Sequence, residues 1–312
     1  MTIIEDLVKP PATGIRPRGV SRREGWQRRL PLLPALIYTI VVTQIPFLVT
    51  LWYSFQNYFW NQPGGAHWTG VSNYKEVFTD PSFRSAVVRS VTMTAIAVIV
   101  AMVLGILLAV LLDKKFFGRG IVRTLIITPF LVMPAAAALV WAGPMLDPSF
   151  GLLNWLLEPF GVNHVAWLTT HAYGSVIVVM IWQWTPFMTL IVLAGLQGQA
   201  QDTLEAAKVD GANAWATFRE LTLPHLRPYI ELGVLLGSIY LVTAFDQVKL
   251  MTNGGPGTTT TTLPFYLYQK VNFAFDIGGA AAAGVVTVIL TIIVASFALR
   301  LFASVFQFEE AK

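Results

Sequence analysis

Six stretches of the chain are apolar for long enough to set the architecture: Leu30–Phe55, Ser85–Leu112, Thr124–Met145, Gly174–Leu196, Tyr229–Val248 and Gly279–Phe302. A hydrocarbon core about 30 Å thick needs roughly 20 apolar residues per helix. Each stretch therefore predicts a membrane-spanning helix, and the fold class is all-α, a polytopic membrane protein with six crossings. Arg89 and Glu231 lie near span ends, where a side chain reaches the headgroups. Pro46, Pro134 and Pro186 fall inside the first, third and fourth spans. A proline there frees backbone carbonyls that something else must satisfy. It marks either a plain kink or a bend where a pathway opens, and the neighbours Trp182, Gln183, Trp184 and Thr185 favour the second for Pro186.

Composition agrees. Of 312 residues, 55% are hydrophobic and 12% charged, against about 25% charged in soluble domains. The chain has no cysteine, so disulfides and thiol ligands are excluded. His67, His164, His171 and His225 are scattered without an i,i+4 pair, which argues against a metal site.

The net charge of +4 is best read by position. Seven of the 21 basic residues precede Leu30. With the N-terminus inside, inner segments hold sixteen and outer segments hold Lys75, Arg84, Lys249 and Lys270. That asymmetry predicts cytoplasmic termini and no nucleic-acid role. Residues 1–29 read as a cytoplasmic tail, 30–303 as the transmembrane domain and 304–312 as a cytoplasmic end. The first apolar run starts too late, and runs too long, for a secretory leader. Residues 56–84 and 146–173 are rich in aromatics, as an interfacial belt would be. Phe150–Phe160 predicts a short interfacial helix.

The inner segment 198–228 carries the most information. Asp202 can cap a helix and Glu205 can close a capping box. Gly211 can end that helix in the left-handed conformation. Asn213 can cap a second helix bearing Trp215, Phe218 and Leu221–Thr222 on one stripe, with Pro224 as its stop and the fifth span beginning after Pro228. Ala206 and Ala207 beside a glycine turn suit the close approach of another protein; a helix lying on the inner leaflet is the equal alternative.

Glu205-Ala206-Ala207, Asp210-Gly211-Ala212, Phe218 and Leu223-Pro224 resemble the EAA loop of permease subunits of binding-protein-dependent ABC importers. The resemblance implies a type I importer permease fold whose loop docks as a coupling helix on an ATPase subunit. Met251-Thr252-Asn253-Gly254-Gly255-Pro256-Gly257 resembles an element of carbohydrate importers of the maltose type, close to the larger permease subunit. Ser72-Asn73-Tyr74 and Thr262-Leu263-Pro264-Phe265-Tyr266 look closest to permeases for sugar alcohols. The implied partners are a second, related permease, two ATPases, an extracytoplasmic solute-binding protein and a sugar or polyol. ATP and magnesium would sit on the ATPases, since this chain lacks a phosphate-binding G-x-x-x-x-G-K-[ST] loop; no cofactor is expected here.

For the substrate pathway, two faces stand out. Met180, Gln183, Trp184 and Phe187 recur at helical spacing in the fourth span. Gly237, Tyr240, Leu241 and Ala244 do so in the fifth. Both overlap the sugar-lining positions that the resemblance implies, but Gly237, Leu241 and Ala244 stand where the maltose permease has polar residues, which points to a different or smaller ligand. Ordinary helix packing is the competing reading. Asp246 reads as a partner for Lys249 or for backbone, and catalytic residues are not expected. An ion-driven secondary transporter would need carboxylates within the spans or broken helices for ion coupling, and the sequence offers little beyond Asp246.

Overall fold

A computed structural model of the protein describes residues 30–162 and 164–310. The basic tail 1–29 lies outside the described residues. The chain divides into one unit through Val49 and a second from Thr50 onward. Helix α1 (Leu33–Ser54) begins in the first and contains Pro46 without a break.

Among the described residues the second unit is mainly helical, with one short hairpin, in which β1 (Gln56–Asn57) pairs antiparallel with β2 (His67–Trp68), and an isolated bridge between Phe59 and Asp276. The Asn73 side chain on α2 (Ser72–Thr79) explains the hairpin's placement. It is buried and donates to the carbonyls of Ser54 (2.9 Å) and Gln56 (2.8 Å), while Tyr74 and Ser54 share a hydroxyl contact of 2.6 Å. Asn73 and Tyr74 therefore organise the chain's exit from α1.

Helix α3 (Pro81–Asp113) begins four residues before the expected span. Asp80 accounts for this: its carboxylate accepts from the Ser82 amide (2.8 Å), and Pro81 supplies a first-turn residue that needs no amide partner. The fourth expected span is α8 (Ala172–Gln197), which passes through Pro186 unbroken. The sixth is α13 (Ile277–Glu310), which extends through much of the expected C-terminal end.

The third expected span is not one helix. It is α4 (Arg119–Leu131) and α5 (Pro134–Val140), prolonged by a π-turn over Trp141–Met145, with a 100° bend between the halves. Val132 and Met133 are extended, with ψ of 129° and 135°. A residue before proline is pushed out of the helical region, and Pro134 then opens a new helix.

The fifth expected span is shifted. Helix α11 (Leu223–Val242) starts six residues early and stops before Thr243. It thereby adds His225 and Arg227 to the helix, and Arg227 pairs with Glu231 at 2.9 Å. Among the described residues, four helices are long and apolar enough to cross a membrane: α1, α3, α8 and α13. The bent pair α4/α5 makes a fifth if counted as one span, and α11 falls outside this group.

Helix α8 lies at the centre, packed on α3, α4 and α11, and α11 also packs on α13. Their shared core holds Met93, Ala97, Met102, Met180, Met188, Ile230 and Val234. A second cluster joins Val77, Phe83, Leu263, Tyr266 and Ala283, from α2, α3, α12 (Leu263–Asn272) and α13. Outward faces of α3 and α13 stay apolar, with Val103, Leu107 and Leu111 on one and Ile289, Ile292 and Phe297 on the other. Such faces suit lipid contact, because acyl chains solvate them without penalty.

Candidate functional site

The loop after α8 folds into two helices, as the sequence predicts, with a different start. Helix α9 (Gln201–Val209) is preceded by Ala200, and no side chain caps it. Asp202 lies inside its first turn, so it adds favourable charge at the helix start but is not the cap. The end is as expected. Gly211 has φ of +83°, its amide bonds the Lys208 carbonyl at 3.2 Å, and the Ala212 amide bonds the Ala207 carbonyl at 2.9 Å. This 6→1 and 5→2 pair satisfies two terminal carbonyls.

Glu205, Ala206, Asp210 and Gly211 are exposed, Ala212 is half-buried and Ala207 is buried. Only Ala206 of the alanine pair is therefore exposed, because Ala207 turns inward with Leu204. Val209 is 87% exposed, an apolar side chain at the tip that the described residues leave uncovered.

Asn213 caps α10 (Ala214–Thr217), its Oδ1 accepting from the Ala216 amide at 2.8 Å. Trp215 is 70% exposed and stacks on half-buried Phe218 with centroids 6.1 Å apart. Pro224 does not stop the helix. A π-turn over Phe218–Thr222 closes with the Leu223 amide on the Phe218 carbonyl, and α11 continues through Pro224 and Pro228. The wider i→i+5 turn accommodates prolines that cannot donate. Leu223 is half-buried and Pro224 exposed in that first turn. The loop thus runs into α11 with little non-helical chain between.

The second candidate region gathers aromatic rings. Trp184 lies 5.5 Å from Tyr240 and 5.4 Å from Phe187, and Phe130 lies 5.8 Å from Trp184 and 5.1 Å from Phe187 (ring centroids). Phe130, Trp184 and Phe187 are half-buried and Tyr240 is exposed, so the rings form an accessible surface. They come from α4, α8 and α11. Phe130 escaped the sequence reading; its place just ahead of the proline bend was the available signal.

The other pathway candidates lie deeper. Met180, Gly237 and Leu241 are buried in the core, and Ala244 is half-buried against it. Gln183 is 3% exposed; its Nε2 donates to the Val132 carbonyl (2.9 Å) and its Oε1 accepts from Gln247 Nε2 (2.8 Å). Of the eight pathway candidates, the structure brings Trp184, Phe187 and Tyr240 onto one surface. The remaining polar one is committed to protein partners. Lys249 does not pair with Asp246: it donates to Asn253 Oδ1 at 2.8 Å and sits 4.5 Å from the Tyr268 ring centroid.

The Asn253–Gly257 turn is tight. Asn253, Gly254 and Gly257 all have positive φ, and Thr260 and Thr261 clamp the turn through bonds to the carbonyls of Gly255 (3.0 Å) and Gly254 (3.1 Å). A Cβ at Gly254 would stand 2.3 Å from Phe265, so glycine is required there twice over. In residues 146–173 the expected short helix is α6 (Leu152–Leu157) with a 3₁₀ turn to Phe160, followed by the single turn α7 (Trp167–Thr170). Asn154 on it binds the carbonyls of Asp147 and Val165, and accepts from the Trp167 indole.

Residues 101–306 match the family described as binding-protein-dependent transport system inner membrane component. A probable ABC transporter permease protein of Sinorhizobium fredii is 39% identical over 266 residues, covering 85% of this chain and 86% of that one. The trehalose/maltose transport system permease protein of Thermococcus litoralis is 32% identical over 272 residues, covering 86% and 91%. A diacetylchitobiose uptake system permease protein of Streptomyces coelicolor is 33% identical over 297 residues, covering 92% and 90%. In three dimensions the chain shares its fold with a bacterial ABC transporter involved in importing the polysaccharide alginate, with a TM-score of 0.76, 23% identity, and coverage of 90% and 96%. The chain belongs to the family of inner membrane components of binding-protein-dependent transport systems, and it is a transport subunit rather than an enzyme.

Proposed function

We propose that this chain is a permease subunit of an ATP-driven importer for a sugar or sugar alcohol, forming half of the translocation pathway. One observation carries the reading: the exposed helix α9 and its capped successor run through a π-turn into α11, which bears Tyr240 of the aromatic cluster. A push on the loop is thereby placed in line with a wall of the pathway. Sugars favour aromatic faces over rings of charge, and Phe130, Trp184, Phe187 and Tyr240 supply such faces. The relatives named for trehalose, maltose and diacetylchitobiose transport agree with this ligand class.

In this reading α11 is the fifth of six crossings and both termini are cytoplasmic, as the basic residues indicate. Glu205, Ala206, Asp210 and Gly211, with Val209 and Trp215 beside them, face an ATPase subunit. A binding protein delivers substrate to the opposite side, and a related second permease completes the pathway. ATP closure of the ATPase pair moves α9 and α10, and α8 and α11 reorient around the substrate. Uptake of labelled sugars and polyols by proteoliposomes holding the complete complex tests this. Uptake that requires internal ATP supports it; uptake that persists without the ATPase subunits supports ion-driven transport instead.

A further inference from the structure

The 100° bend between α4 and α5 leaves the Val132 carbonyl outside any helix. Its partner is the Gln183 side-chain amide on α8 at 2.9 Å. The Gln183 carbonyl oxygen is in turn held by Gln247 at 2.8 Å. Gln247 lies just past residues 243–245, a second place where helical structure is interrupted, and leads into the π-turn Val248–Thr252. Two breaks in the fold are therefore tied to each other through α8. Both amides are 3% exposed, so water does not substitute for either bond.

The three tied elements also bring the rings together. Phe130 precedes Val132 by two residues, Trp184 follows Gln183 directly, and Tyr240 sits near the end of α11. We infer that Gln183 and Gln247 are positioning residues for transport: the relay Gln247–Gln183–Val132 sets the bend of α4/α5 relative to α8 and the end of α11, and so fixes the spacing of the rings that receive substrate. Neither amide touches the substrate in this arrangement. The inference rests on the sugar-import reading above and assigns the buried amides a role different from lining the pathway.

The test uses the complete importer in proteoliposomes with Gln183→Leu, Gln247→Leu, the double variant and Gln183→Glu. Each leucine variant is expected to cut uptake by about tenfold, the scale of a buried hydrogen bond left unmade. The loss should fall on half-saturation and on uptake per ATP, with the complex still assembled. The double variant should be no worse than the poorer single one, because one relay is being cut twice. Gln183→Glu supplies a signature that general misfolding would not. A carboxylate cannot donate to the Val132 carbonyl, whereas a protonated carboxyl can. Uptake by this variant, relative to wild type at each pH, should rise on acidification. Leucine variants that transport like wild type, additive losses in the double variant, or a Gln183→Glu profile parallel to wild type would each overturn the inference. Wild-type complexes that take up no sugar would instead sink the import reading, and the positioning role with it.

Discussion

Met188 fills the space that a side chain at Gly237 would need: a Cβ at Gly237 would stand 2.4 Å from the Met188 Cε. Gly105 faces the same methionine from α3, where a Cβ would lie 2.6 Å from the Met188 Cβ and 3.0 Å from its carbonyl carbon. The two clashes differ in kind. A methionine tip can swing aside, but a Cβ and backbone cannot. Gly105→Ala should therefore cost about 1–3 kcal/mol, and Gly237→Ala distinctly less. Met188→Ala should relieve the second and not the first. Thermal unfolding of the purified complex in detergent checks both. Equal losses for the two alanine variants would mean that α3 and α8 can separate, contrary to the packing described.

The aromatic cluster predicts a graded ligand effect. Trp184 touches Phe130, Phe187 and Tyr240 at once, and aromatic pairs add about 0.5–1.5 kcal/mol each beyond buried area. Trp184→Ala should raise the half-saturating sugar concentration several-fold, with Tyr240→Ala smaller and Trp184→Phe smaller still. Uptake measured against sugar concentration reads this directly. A Trp184→Ala variant with unchanged half-saturation would remove the rings from the pathway.

A polar cluster around α12 predicts a pH window. Tyr266 donates to Asp80 Oδ2 at 2.6 Å, and Lys270 pairs with Glu76 (3.3 Å) and Asp276 (3.4 Å). Burial acts to raise Asp80, but the Tyr266 and Ser82 hydrogen bonds and the Lys270 charge outweigh it, so the carboxyl titrates below its ordinary range. Burial acts to lower Lys270, and Asp276 and Glu76 outweigh it, so the amine titrates above its ordinary range. A lowered acid stabilises above its unfolded value, near pH 4, and loses that contribution as pH falls through its folded value. A raised base stabilises fully below its unfolded value, near pH 10, and loses that contribution as pH rises through its folded value. Stability from the cluster should thus be flat between those limits. Tyr266→Phe should move the acid loss to higher pH, as read by unfolding temperature against pH; an unshifted acid limb would show that the Asp80 bond is without consequence.

The second helix of the loop depends on one side chain. Removing the Asn213 cap by Asn213→Ala should cost about 1 kcal/mol, and Asn213→Ser far less. Hydrogen exchange of amides 214–217 should quicken in the alanine variant alone. Unchanged exchange there would mean that the π-turn and α11 hold this helix without its cap.

Much of this fold is legible in the sequence because apolar length and basic-residue position are local signals. Leu30–Phe55, Ser85–Leu112, Gly174–Leu196 and Gly279–Phe302 each correspond to a long apolar helix. The caps at Gly211 and Asn213 could be read because each rests on one residue type at one spacing. What escaped depended on tertiary context. Pro134 announced a deviation, but the carbonyl freed at the 100° turn is satisfied by Gln183, 51 residues away, which no local signal shows. Pro224 and Pro228 look like stops, yet a π-turn absorbs the first within a continuing helix. Gln183 and Gly237 occupy faces with the right period for a pathway, and period alone does not distinguish a side chain in an opening from one committed to the core.

The proposed lever of α9, α10 and α11 is tested most directly by Gly211→Pro. Proline cannot adopt the φ of +83° found there, so the turn between the two helices must change. The ratio of sugar imported to ATP hydrolysed is the quantity to measure, in proteoliposomes holding the complete complex. The expected result is a variant that inserts and assembles, still hydrolyses ATP, and imports sugar only at background. A ratio equal to wild type would contradict a coupling role for residues 201–224.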